Sequence, residues 1–315
     1  MEKVHPLTAA DAAPHPAATR RFRFGVVAAS ARSGEEWANT ARQIESLGYA
    51  SLVVPDNLGY TLAPLPALAV AAAATRSLRL GTYVLANDFR HPVLLAKDVA
   101  TLDLLSGGRV ELGLGAGRPD SAAENRMLGV PFDSGAVRIA RLAESLEILK
   151  MLLEGRHATA RGAHYAVADA RISPRPVQQP RPPILVAGSG RQLLRLAARE
   201  ADSIALGVPP DATEATAAEK IGWIREAAGD RFDRIELNVN LMAVGDRVPR
   251  QLAARYGLSA EALAQRGSVA ALTGTTEQMC EQLLERRDRL GISYVLVSDE
   301  LMEALAPVVE RLTGR

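Results

Sequence analysis

Short apolar runs alternate with longer segments of helical periodicity from residue 22 to the end of the chain. Residues 22–29 form the first apolar run, and residues 35–47 predict a helix because Trp37, Ile44 and Leu47 share one face. The runs that predict strands lie at residues 22–29, 51–54, 78–85, 109–114, 184–186, 203–206, 235–244 and 294–297. Later helical patterns lie at residues 214–228, 251–265 and 276–290. Strands that alternate with helices are typical of a parallel sheet whose crossovers are helical.

Eight such units in about 290 residues predict a (β/α)8 TIM barrel. Two stretches rich in glycine, proline and polar residues, 115–135 and 156–183, predict insertions after strand four and before strand five. The competing architecture is an open doubly wound sheet, which carries a dinucleotide fingerprint at its first βα turn. Residues 28–34 form that turn and contain one glycine, so the sequence favours the barrel.

The 315 residues divide into a short tail and one domain. Residues 1–21 are polar, contain three prolines and lack the apolar core of a secretory signal, so we expect a flexible N-terminal tail. Residues 22–315 contain no linker and predict a single barrel domain. No apolar run reaches the roughly 18 to 20 residues that a membrane span requires, and we expect a cytoplasmic protein.

Charge and cysteine content narrow the classes of partner. The chain has 37 basic and 36 acidic residues, and a net charge of +1 provides no long-range field for nucleic acid or an anionic membrane. The single cysteine, Cys280, excludes an internal disulfide framework and a multi-cysteine metal site. No cluster of His, Asp and Glu has metal-ligand spacing either. We therefore expect a small-molecule ligand and no metal.

In a TIM barrel the chemistry lies at the carboxyl ends of the strands. The residues to inspect are those that follow strands two to five, at 55–57, 87–91, 115–118 and 188–190. Asp56 is a candidate for a polar contact to a ligand. His91 precedes a proline at a predicted helix start, where it is either a helix cap or a base.

Residues 188–190, Gly-Ser-Gly, lie between a predicted buried strand and a helix. Free backbone N–H groups and the positive end of the helix dipole would bind a phosphate there. The alternative is a tight turn in which Ser189 caps the helix. Residues 113–117 contain half of a dinucleotide fingerprint, but Arg118 stands where the third glycine would fall.

The segment 90–117 resembles the signature of the bacterial luciferase-like superfamily, whose members are barrels that use flavin mononucleotide (FMN) or the deazaflavin F420. The likeness extends from Phe22 to about Leu312 and is supported by residues 45–56, 72–81, 141–144 and 182–190. Residues 87–92 and 178–183 are similar to a branch described as F420-dependent oxidoreductases.

The resemblance implies a role for particular residues. A non-prolyl cis peptide is expected near Tyr83 and Val84, against the central ring of the cofactor. Ala86 and Asn87 would touch the edge of the ring, and Ala116 and Gly117 would line the same pocket. The cofactor phosphate would be held by Gly188, Ser189 and Gly190.

Two positions depart from the family members that oxidise sugar phosphates or alcohols. Those members carry a histidine after the strand-two aspartate and a glutamate after the strand-four glycines, where this chain has Asn57 and Arg118. Asparagine accepts no proton at neutral pH and arginine stays protonated, so alcohol oxidation by that arrangement is disfavoured. Arg118 would recognise an anionic substrate group or form a surface salt bridge, and His91 or Tyr60 would supply a proton.

The sequence thus favours an oxidoreductase that passes hydride from reduced F420 to a C=C or C=N bond of a small organic substrate. Its candidate catalytic residues are His91, Asp56 and Asn57, and its candidate substrate contacts are Arg118 and Tyr60. One alternative is a monooxygenase that uses reduced FMN and O2, and another is a non-catalytic cofactor-binding protein. Superfamily members commonly dimerise, so we also expect a homodimer formed through outer helices.

Overall fold

A computed structural model describes residues 20–118 and 120–315. Its strands, in chain order, are β1 (Arg23–Val27), β2 (Ser51–Val54), β3 (Arg79–Thr82), β4 (Leu85–Ala86), β5 (Val110–Gly115), β6 (Ala158–Arg161), β7 (Ala166–Ala170), β8 (Ile184–Gly188), β9 (Ser203–Leu206), β10 (Glu236–Leu241), β11 (Ala243–Val244), β12 (Ala271–Leu272) and β13 (Ile292–Ser298).

Eight of these strands close into a parallel barrel. Neighbouring strands follow the order β3, β2, β1, β13, β10, β9, β8 and β5, and β5 pairs back with β3 through Leu80 opposite Val110. This closure confirms the predicted (β/α)8 TIM barrel and excludes the open sheet.

Helices cover the outside of the barrel. They are α1 (Gly34–Ser46), α2 (Pro64–Ala74), α3 (Pro92–Leu105), α4 (Ala122–Met127), α5 (Gly135–Leu153), α6 (Arg191–Glu200), α7 (Glu214–Ala228), α8 (Arg250–Tyr256), α9 (Ala260–Gln265), α10 (Thr276–Leu290) and α11 (Met302–Leu312). Short 3-10 helices cover Asn87–Phe89, Gly229–Arg234 and Asp299–Leu301. Each barrel strand is thereby buried between the interior and a helical layer.

The two expected insertions are present. The first, after β5, contains the short helix α4, and the second, before β8, contains the antiparallel hairpin β6–β7. A third excursion, between β10 and α10, carries α8, α9 and the small parallel pair β11–β12. Sequence periodicity predicts the helical part of this third excursion but merges β11 with β10.

The amino-terminal end of the barrel interior holds a buried ionic cluster. Arg23 donates to Glu111 at 2.5 Å and to Glu236 at 2.6 Å, and its guanidinium lies 3.8 Å from the centre of the Tyr294 ring. Arg79 also pairs with Glu111. These charged groups satisfy one another at the amino-terminal end, which leaves the carboxyl end of the strands for a ligand.

Among residues 20–118 and 120–315, no helix has the length and apolar character that a membrane crossing takes. The same residues contain no group of three or more His, Cys, Asp or Glu side chains placed to hold a metal ion. The predicted tail falls almost entirely outside the described residues, and its boundary with the domain stays a prediction.

Candidate active site

The predicted strand at residues 78–85 is interrupted at the barrel mouth. β3 ends at Thr82, the Tyr83–Val84 peptide bond is cis, and β4 resumes at Leu85. The cis bond lies where the resemblance implies it. Tyr83 points into the barrel, where its hydroxyl donates to Asn238 Oδ1 at 2.9 Å, and burial raises the pKa of this phenol.

The glycines of β5 allow this segment to lie directly against the strand. A Cβ on Gly113 would fall 1.9 Å from the Thr82 carbonyl oxygen, and a Cβ on Gly115 would fall 2.9 Å from Val84 Cγ2. The Gly-x-Gly pattern therefore serves close backbone approach. It is not part of a dinucleotide fingerprint.

Asp56 connects the end of β2 to the segment after β4. Its carboxylate accepts from both terminal nitrogens of Arg90, at 2.5 and 3.1 Å, and from the Ala86 N–H at 3.1 Å. The Asp56 side chain is only 5% exposed. Because both oxygens are used by the protein, the structure gives Asp56 a role in positioning Ala86 and Asn87, and its predicted catalytic role stays a prediction.

Asn87 and His91 meet a residue that the sequence analysis did not single out, Tyr165. The buried Asn87 donates from Nδ2 to the Tyr165 hydroxyl at 3.2 Å, and the His91 ring lies edge-on to the Tyr165 ring at 5.6 Å. His91 Nδ1 accepts from the Val93 N–H at 3.3 Å. His91 thus caps α3, which is the first of its two predicted roles, and the structure leaves its role as a base untested.

Glu144 fixes the position of Tyr165. Its carboxylate accepts from the backbone N–H groups of Ala163, His164 and Tyr165 at 2.9, 2.9 and 3.0 Å. Burial opposes ionisation of this carboxyl, but the three donors outweigh that effect and lower its pKa. The hairpin β6–β7 is therefore tied to α5 at its turn. Sequence periodicity gives no signal for this contact, because its donors are backbone groups.

Ala116 and Gly117, two of the predicted cofactor contacts, are held by Arg138. This buried side chain of α5 donates from Nη1 to the Ala116 carbonyl at 2.8 Å and to the Gly117 carbonyl at 2.7 Å. Gly117 has φ +80°, and a Cβ there would fall 2.9 Å from Arg138 Nη1. The position therefore requires glycine for both reasons.

Tyr60 and Arg118 come from different loops and meet at the rim. Burial lowers the pKa of Arg118, but the hydrogen bond that its guanidinium donates to the Tyr60 hydroxyl oxygen outweighs this effect, together with nearby carboxylates, and raises the pKa. Arg118 Nε also lies 3.1 Å from Asp120 and its Nη2 lies 4.0 Å from Glu124. The structure thus contains the salt bridge that was one of the two predicted roles of Arg118. An anionic substrate would compete with two carboxylates for this side chain.

Residues 188–190 form the predicted turn between β8 and α6. Gly190, which has open space around its Cβ position, is the residue before the helix, so the expectation that Ser189 caps α6 is wrong. Gly188 approaches β9 so closely that its carbonyl oxygen would lie 2.9 Å from a Cβ on Gly207. Lys220, which the sequence analysis did not select, reaches this turn from α7 and donates to the Ser189 carbonyl at 2.5 Å.

This geometry is suited to binding an anion. The first N–H groups of α6 have no partner within the helix, and the positive end of its dipole faces the turn. Lys220 adds a full positive charge 2.5 Å from the Ser189 carbonyl. Open space at Gly190 leaves the backbone accessible. The residues present therefore fit a phosphate group, as expected for a nucleotide-like cofactor.

Residues 18–306 match the sequence profile of a family described as luciferase-like monooxygenase. The chain belongs to this family. An F420-dependent glucose-6-phosphate dehydrogenase of Beutenbergia cavernae is 39% identical over 166 residues, which are 50% of this chain and 48% of that protein. The chain thus spans about half the length of this curated relative.

Solved structures of the luciferase-like family share the fold at lower identity. The F420-dependent tetrahydromethanopterin reductase of Methanopyrus kandleri superposes with a TM-score of 0.75 at 18% identity. The match covers 93% of this chain and 100% of the reductase chain. A monooxygenase of Streptomyces bottropensis superposes with a TM-score of 0.70 at 23% identity, covering 92% of this chain and 97% of that one. At these identities the likeness shows the fold alone.

Proposed function

We propose that this member of the luciferase-like family is an F420-dependent oxidoreductase that transfers hydride from the reduced deazaflavin to a C=C or C=N bond of a small organic substrate. The observation that carries the proposal is the mouth of the barrel. It combines the turn at 188–190, whose backbone fits a phosphate, with a rim segment, 83–87, held against two glycines of β5. The name of the Beutenbergia relative supports F420 as the cofactor.

In this proposal Gly188, Ser189 and Gly190 hold the cofactor phosphate, with Lys220 beside them. Tyr83, Val84, Ala86 and Asn87 lie along one side of the ring, and Ala116 and Gly117 line the other part of the pocket. The cofactor supplies the hydride chemistry when bound. The chain's own residues bind it, orient it and exclude water.

The side chains at the rim support reduction of the substrate as the direction of transfer. Asn57 carries no basic group, and its backbone N–H donates to Thr61 Oγ1 at 3.2 Å. Arg118 is a paired cation. Neither removes a proton from an alcohol, so the mouth suits reduction of a substrate better than oxidation of a hydroxyl group.

Binding of the two cofactors tests the proposal. Purified protein is titrated with F420 and, separately, with FMN, and binding is followed by cofactor fluorescence. We expect saturable one-to-one binding of F420. Tight binding of FMN without binding of F420 would favour the reduced-FMN monooxygenase alternative and overturn the proposal. Tight F420 binding without turnover across a broad panel of acceptors would favour a non-catalytic protein.

We propose in addition that two copies associate through α2 and α3. Leu94 and Leu105 are 64% and 71% exposed, and their spacing of three helical turns puts them on one face of α3. Val70, on the adjacent α2, is 43% exposed. Exposed apolar side chains on two adjacent helices support an interface on this side of the barrel. A homodimer in light scattering is the expected result, and a monomer at all concentrations would contradict it.

A further inference from the structure

The interior of the barrel contains an amide side chain without a hydrogen-bond partner for its oxygen. Asn240 lies one residue before the end of β10, at the carboxyl end of the barrel. Asn238, two residues earlier, points inward, since its Oδ1 accepts from the Tyr83 hydroxyl and its Nδ2 donates to the Tyr294 carbonyl at 3.1 Å. Residues two apart on a strand share a face, so Asn240 also points into the barrel, nearer the mouth.

Asn240 Oδ1 is enclosed and accepts no hydrogen bond from the residues that the structure describes. Buried polar atoms are nearly always paired, and an exception calls for a physical reason. Five other enclosed side-chain atoms share this condition. Three of them belong to side chains that form ion pairs, Asp88, Arg181 and Arg286. The other two are serine hydroxyls, Ser145 on α5 and Ser293 on β13.

The walls around Asn240 favour a flat ligand over an ordered water. Leu296 is its register partner on β13, and Leu296 packs with Val53, Val27 and Val84 in the apolar cluster of the barrel interior. A buried water needs two to four polar partners, which these side chains do not provide. A planar ring with an N–H at its edge would satisfy the amide oxygen and cover the apolar side chains together.

We propose that Asn240 is a cofactor-positioning residue whose Oδ1 accepts a hydrogen bond from the ring N–H at the pyrimidine edge of the deazaflavin. This inference rests on the proposed function. The pyrimidine edge carries an N–H between two carbonyl groups, which is the donor that the unpaired oxygen requires. Asn240 takes no part in hydride transfer. Its role would be to hold the ring in the barrel mouth.

The test compares cofactor binding with the stability of the free protein. Asn240→Leu removes the unpaired oxygen while keeping the side-chain size, and Asn240→Ala serves as a second variant without added bulk. We expect either variant to weaken F420 binding about tenfold. The melting temperature of the cofactor-free variant Asn240→Leu should equal or exceed that of the wild type, because a buried polar atom without a partner has been removed. A residue that only supports the fold would give the opposite result for stability.

Ser293→Ala is the matched control, since it removes another enclosed polar atom without a partner, here a hydroxyl near the opposite end of the barrel. It should leave the F420 dissociation constant unchanged. Equal F420 affinity in the wild type and both Asn240 variants would overturn the inference, as would a loss of affinity of the same size in Ser293→Ala. Absence of F420 binding by the wild type would instead overturn the proposed function, so the two failures are distinct.

Discussion

Replacing Gly113 by alanine tests whether the glycines of β5 are needed for close approach of β3. The added Cβ would lie 1.9 Å from the Thr82 carbonyl oxygen and 3.0 Å from Val84 Cγ1. Thr82 cannot withdraw freely, because its Oγ1 donates to the Gly113 carbonyl at 2.8 Å and accepts from the Gly113 N–H at 2.9 Å. The clash therefore has to move backbone.

Two effects lower the free energy of unfolding of the Gly113→Ala variant. Overpacking of a dense interior lowers the free energy of unfolding by about 1 to 3 kcal/mol. Weakening one of the two Thr82 hydrogen bonds adds roughly 1 kcal/mol. We expect a loss of about 3 kcal/mol, which in a domain of this size lowers the melting temperature by about 5 °C.

Thermal unfolding followed by far-UV circular dichroism measures this loss. Gly135→Ala is the matched control, because the position opens α5 and has no atom within 4 Å of its Cβ site. Alanine there should leave the melting temperature unchanged or raise it by a few degrees at most, about 1 kcal/mol in free energy. A Gly113→Ala protein as stable as the wild type would refute the close-approach reasoning.

Three further predictions concern the hairpin, the phosphate turn and the outer helices. Because the pKa of Glu144 is lowered in the folded protein, its contribution to stability is present above its unfolded pKa and is lost as pH falls through the lower folded value. We therefore expect hydrogen exchange at residues 163–165 to accelerate in acid. Glu144→Gln should show fast exchange already at pH 7. Slow exchange in that variant would contradict the anchoring role. Lys220→Gln should weaken F420 binding by about three- to tenfold, most at low salt, as titrations at two ionic strengths will show; a salt-independent loss would contradict a charge contact. Leu105→Glu should convert a dimer to a monomer in light scattering without changing the F420 dissociation constant, and a persistent dimer would place the interface elsewhere.

Local signals in the sequence determine much of the barrel. The predicted strand 203–206 and the helices at 214–228 and 276–290 match the structure at both ends. In each helix a threonine side chain caps the first turn and a glycine follows the last residue. Caps and stops are properties of neighbouring residues, so a single sequence reveals them.

Features that depend on contacts between residues far apart in the chain are harder to predict from the sequence. The interruption between β3 and β4 and the separation of β11 from β10 depend on pairing partners far along the chain. The short helix α4 lies in a polar connection without periodicity. Local patterns carry no information on these contacts, which explains why one long strand was predicted at each interruption.

The residues of the candidate site also include some that the sequence indicates and some that it does not. Strand ends indicate Asp56, Asn87 and Gly188 because position in a barrel is a topological rule. Arg138 and Tyr165 were missed, since each reaches the mouth from an outer helix or an insertion, by contacts across 21 to 78 residues of sequence. Topology alone does not predict such contacts.

Anaerobic assay of reduced F420 with a panel of activated alkenes and imines separates F420-dependent reduction from flavin-dependent oxygenation. We expect F420 to be reoxidised in step with reduction of at least one acceptor, in a reaction that needs no O2. Oxygen-dependent turnover with reduced FMN, in a protein that leaves reduced F420 unchanged with every acceptor, would contradict the proposed function.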